Sequence, residues 1–78
     1  MVRIVELRKL GGYLVFLRFS DGAQGDVDVS QVVPFRGVFQ RLTDPAEFDR
    51  VTLDPDWGTI RWGDDLDIAP ESLRDRLA

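Results

Sequence analysis

Seventy-eight residues with a net charge of −4, no histidine and no cysteine describe one small domain, near the lower limit for a core that stands without staples. With neither imidazole nor thiol, Ser-His-Asp and Cys-His catalysis, His- or thiolate-ligated metal sites and disulfides are all excluded. Residues 1–42 hold six bases and four acids, residues 43–78 four bases and ten acids, so nonspecific binding to a phosphate backbone is not expected.

At the N-terminus, "RIVELR" (3–8) alternates apolar and polar residues as a strand does and lacks the apolar block of a signal peptide. Gly11-Gly12 punctuates it, and "YLVFLRF" follows with strong β propensity. At period two, Tyr13, Val15, Leu17 and Phe19 share one face, and Leu14, Phe16 and Arg18 the other. A strand apolar on both faces is expected at the centre of a sheet, covered on both sides. The longest apolar run, Tyr13 to Leu17, falls far short of the ~20 residues that cross a membrane. A soluble, unexported, cytoplasmic protein is the expectation. Arg3, Arg8, Lys9 and Arg18 read as solvated strand-edge charges.

Asp21-Gly22 is the strongest hairpin signal in the chain, and "QGDVDVS" leaves it with Val27 and Val29 inward and Asp26 and Asp28 outward. Pro34 and Gly37 interrupt any long helix. One short turn is predicted before them, and "GVFQRL" after them as a brief helical piece burying Val38, Phe39 and Leu42. Asp44 and Pro45 read as the cap and first residue of another helical turn. Two short strands are predicted around "DPDWG" (54–58). Pro70 then opens a last helix, with Glu71 near its positive end and Leu73 and Leu77 as its apolar stripe. The sum is one α+β domain over 1–78: an antiparallel sheet of four or five strands with short helices packed on one face.

Little here can do chemistry. Lys9 has no apolar surroundings in sequence to lower its pKa, and the glycines lack the spacing of a phosphate cradle. The acids Asp54, Asp56, Asp64, Asp65 and Asp67 lie close in sequence, but turns recruit Asp for local hydrogen bonds. "DPDWGT" lacks the third ligand and distal Glu of a calcium loop. A chain this short has little volume to enclose a substrate, so neither catalysis nor a cofactor is expected. The two tryptophans divide. Trp62 alternates with Ile60 toward a covered face and reads as core; Trp57, in the turn before Gly58, is the candidate for exposure.

Three stretches carry a resemblance that covers nearly the whole chain: "FSDGAQGDVDVS" (19–30), "GVFQRLTDPAEFDRVTLD" (37–54) and "GTIRWGDDLDIAPESL" (58–73). In their order and content they resemble a family of small, mostly bacterial domains of unknown function, catalogued as number 2442. Gly63 stands where the family usually has proline. The resemblance implies a small α+β unit on an antiparallel sheet and supplies no catalytic residues. Some members lie beside genes for toxin-like partners, which implies an antitoxin-like role. Others carry a C-terminal helix-turn-helix that would bind DNA; this chain is expected to lack it, so direct nucleic-acid binding is not expected.

The leading expectation is a protein-interaction module, antitoxin-like in neutralising a basic partner or pairing with itself. Trp57, Arg61, Asp56, Asp64 and Asp65 are its candidate contacts. The alternative is a small-ligand or divalent-cation module using Asp54, Asp56, Asp64 and Asp65 with Trp57 as a lid. An acid–base hydrolase comes third and would need two carboxyl groups about 5–9 Å apart in a cleft.

Overall fold

Alternation and glycine turns build the first half of the molecule. β1 (Ile4–Gly11), β2 (Leu14–Phe19) and β3 (Gln24–Asp28) form a three-stranded antiparallel meander in that order. Gly12, at φ 56°, makes the β1–β2 turn in a conformation that side chains disfavour. The Asp21-Gly22 turn forms as its sequence predicts, with the Ala23 N–H donating to Asp21 Oδ1 at 3.1 Å. The β1–β2 register slips twice, between Ile4 and Glu6 and between Lys9 and Gly11, leaving Val5 and Leu10 as the extra residues of two bulges. These coordinates, a computed structural model, describe residues 2–77. Met1 and Ala78, the ends of the expected domain, lie outside the described residues.

A second meander, β4 (Thr52–Asp54), β5 (Thr59–Trp62) and β6 (Leu66–Ile68), forms a separate three-stranded antiparallel sheet. The expected single sheet of four or five strands is therefore corrected, among the described residues, to six strands in two sheets. Residues 29–51 break the pairing, because they fold as 3-10 turns Val29–Gln31 and Gly37–Thr43 and the helix α1 (Pro45–Phe48). Asp44 caps α1 as expected, its side chain accepting from the Ala46 N–H. After β6 come α2 (Pro70–Arg74) and a final 3-10 turn, Asp75–Leu77. Among the described residues no helix is long and apolar enough to cross a membrane.

One apolar cluster serves both sheets. Val15, Leu17, Phe19 and Val27 enter it from the first sheet, Ile60, Trp62, Leu66 and Ile68 from the second, Leu42 and Phe48 from the segment between the sheets, and Leu73 from α2. Full burial of each such side chain is worth about 1.5–3 kcal/mol relative to exposure. Trp62 is fully buried, and its indole N–H donates to the Phe48 carbonyl at 3.0 Å, so its one polar group is satisfied.

Two further expectations need correcting. Val38 is 73% exposed. Its segment is a 3-10 turn, in which residues three apart share a line, so Phe39 and Leu42 face inward and Val38 does not. β2 is central but is covered on one side only: Leu14 and Arg18 are exposed, and Phe16 is half-buried beneath the Arg8 guanidinium, 4.4 Å from its ring centre. The C-terminal turn goes to the opposite, inward side, where Leu77 lies against Gly25, the register partner of inward-facing Leu17.

Candidate functional site

The β4–β5 turn is tied at every level. Asp54 ends β4 nearly buried, and its Oδ1 accepts the backbone N–H groups of Asp56 and Trp57 at 2.9 and 3.3 Å. Its carbonyl accepts the Gly58 N–H at 2.8 Å. Gly58 has φ 67°, and a Cβ there would stand 2.5 Å from Arg3 Cβ, so only glycine fits both backbone and neighbour. The Ile4 N–H donates to the Gly58 carbonyl at 2.9 Å, and the Arg3 guanidinium donates to the Pro55 carbonyl. The start of β1 thus braces the turn from below. On this braced turn Trp57 projects with 76% of its surface exposed.

Arg61 stands beside the turn rather than free on the surface. Its Nη1 donates to Asp54 Oδ2 at 2.7 Å and its Nε to the Gly63 carbonyl at 2.9 Å, while Nη2 lies 4.0 Å from Asp64. Desolvation pushes the Asp54 carboxyl upward, but the Asp56 and Trp57 N–H groups and the Arg61 charge outweigh it and leave the group below the ordinary carboxylate value. Asp54 is therefore held ionised, which unfits it as a general acid at neutral pH.

The sequence-predicted contacts do not converge on one point. Asp56 and Trp57 sit at one end of β5, and Asp64 and Asp65 at the other, separated by a strand of four residues, about 13 Å at the usual rise. Asp64 is fully exposed. Asp65 instead pairs with Arg41 at 3.2 Å, and the Arg41 hydrogen bond followed by its charge lowers the Asp65 carboxyl. Of the four acids of the cation alternative, Asp54 is bonded to Arg61, Asp64 lies 4.0 Å from the same guanidinium, and Asp65 pairs with Arg41. Among the described residues no three acidic side chains are grouped to hold a metal ion.

Arg41 is the residue that sequence reasoning missed. Its Nη2 donates to the Trp62 carbonyl at 2.8 Å and its Nε lies 3.6 Å from Glu47. It therefore joins the turn Gly37–Thr43, α1 and the β5–β6 turn. Together with Gln40, Thr43, Asp44 and Glu47 it lines an open, shallow depression of about 570 Å³. No short-range pattern ties position 41 to position 65, so the pairing had no signal in the chain.

A family model described as "Protein of unknown function (DUF2442)" matches residues 4–77. No curated protein and no solved structure matches the chain.

Proposed function

The chain belongs to the DUF2442 family, and on that premise we propose that it is a protein-interaction module, antitoxin-like in that it acts by covering a basic partner. One observation supports this above others: Trp57 is 76% exposed on a turn that Asp54, Arg3 and Gly58 hold rigid. Indole surface left in water is unfavourable, and a rigid aromatic loses little entropy when a partner covers it. Tryptophan and arginine are the residue types that dominate contact energies. Asp56 and the fully exposed Asp64 lend negative charge, in a C-terminal half with four bases and ten acids, which speeds encounter with a basic surface.

The test is co-purification of tagged wild type and Trp57→Ala from the native host at low salt, with mass spectrometry of what is retained. The expected result is a small basic protein held by the wild type and lost from the variant. The anchor is worth about 2 kcal/mol or more, roughly 30-fold in Kd. Trp57 touches no core, so both proteins should melt alike. Identical retained proteins in the two samples would overturn the assignment of Trp57.

A further inference from the structure

Asp21-Gly22 is the one Asp-Gly pair in a chain that holds no asparagine. Glycine has no side chain to obstruct an approach by its own nitrogen. The Gly22 nitrogen can therefore attack the Asp21 side-chain carboxyl and close a five-membered ring. We propose that this link is a self-modification site, an isoaspartate-forming turn that Arg74 of α2 keeps latched. The inference is separate from the role proposed for Trp57.

The step needs no co-reactant but water. The bond from the Gly22 nitrogen to Asp21 Cγ forms, and the carboxyl hydroxyl leaves as water with the amide proton, giving a cyclic imide. Water then opens the ring. Addition at Cγ restores aspartate. Addition at the main-chain carbonyl leaves the chain running through Cγ, with the carboxylate on Cα.

In the fold, each group that the ring closure needs is held back. The Gly22 N–H donates to the Phe19 carbonyl at 3.0 Å, so the nucleophile is engaged. Asp21 Oδ1 accepts the Ala23 N–H at 3.1 Å, and Oδ2 accepts Arg74 Nε at 3.0 Å. These contacts, the Ala23 N–H foremost, hold the carboxyl below its ordinary value. Ionised, it has no hydroxyl to release. Two of the three ties are local to the turn, whereas Arg74 lies fifty-three residues away in the chain. α2 can present it because the preceding Leu73 is fully buried in the core. The pair itself stands at the surface, with 36% and 45% of its two side chains exposed, so it opens more readily than the core does.

The product cannot remake the latch. Its main chain is one atom longer at Asp21, and the carboxylate no longer stands where Ala23 and Arg74 meet it. The change falls beside the Arg18–Gln24 pair that ends the β2–β3 ladder. Hairpin and α2 are thereby loosened together.

The test incubates folded protein at neutral pH, digests it with trypsin, and separates the peptide 19–36 into aspartyl and isoaspartyl forms, told apart by electron-transfer fragmentation. Circular dichroism checks that each variant is folded. Wild type should form isoaspartate at position 21 about tenfold or more slowly than the same chain in urea. Arg74→Gln should raise the folded rate about two- to fivefold, the span that an exposed ion pair supports. Arg74→Lys should recover most of the protection. Gly12→Ala, which weakens the fold at the other glycine turn, should keep the wild-type rate. No isoaspartate in urea, equal rates in folded and unfolded wild type, or an Arg74→Gln rate equal to wild type would each overturn the proposal. So would Arg74→Lys behaving as Arg74→Gln does, or Gly12→Ala matching Arg74→Gln, since the fold as a whole and not Arg74 would then give the protection.

Discussion

Gly58 shows how one residue can join two sheets. Its left-handed backbone closes the β4–β5 turn, and its missing side chain lets Arg3 approach, so that Ile4 can donate to its carbonyl. Gly12 has a similar φ of 56° but nothing within 4 Å of its would-be Cβ. Alanine at either position meets the backbone cost of about 1–2 kcal/mol. At Gly58 it also drives a methyl group into Arg3, and overpacking of that kind typically adds about 1–3 kcal/mol. Urea unfolding should therefore rank Gly58→Ala well below Gly12→Ala; equal losses would show that the contact with Arg3 yields freely. The need for a turn at "DPDWG" was legible, because Asp, Pro and Gly each carry a local backbone preference. That Arg3 would be the neighbour was not, since nothing near position 58 records a contact with position 3. The contrast between the tryptophans was legible for a related reason: Trp62 alternates with Ile60 within a strand, whereas Trp57 belongs to a turn.

Among the elements, the β4–β5 hairpin depends on a carboxylate. Asp54 serves as turn former and as partner of Arg61; ionisation strengthens the first role and is required for the second. Asp21 is lowered by the Ala23 N–H and then by Arg74, and Asp65 by Arg41. Groups whose folded pKa lies below the unfolded value stabilise the fold above that value, and the contribution is lost as pH falls through the folded pKa. Stability should therefore be level near neutrality and decline as pH drops below about 3.8, the ordinary Asp value. In Asp54→Asn, the melting temperature should start lower at neutral pH and fall less steeply in acid. Parallel pH curves for the two proteins would show that Asp54 is not among the responsible groups. Most strands were legible from period-two alternation, and the caps of α1 from Asp44 and Pro45. The 3-10 form of Gly37–Thr43 was not, because a seven-residue segment is too short for periods of 3.0 and 3.6 to separate, and Val38 was misplaced as a result.

For the whole molecule, the decisive fact is that two sheets share one cluster of buried residues. Neither sheet can open without exposing the other's apolar face, so unfolding should be a single cooperative event. In Trp57→Phe the only indole left is Trp62, buried at the end of β5 against Phe48 of α1. Its fluorescence and the far-ultraviolet circular dichroism should then share one urea midpoint; two midpoints would mean that the halves melt separately. The partition into two sheets was the largest thing hidden from sequence, because strand patterns give faces but not partners across residues 29–51. The same partition governs how the chain finds its shape. Every strand pairs only with its neighbour in sequence, so each hairpin closes over a handful of residues, and such short closures take place within microseconds. What remains is the meeting of two nearly finished ribbons. The pace of folding is thus expected to follow that single encounter rather than any search for a distant strand.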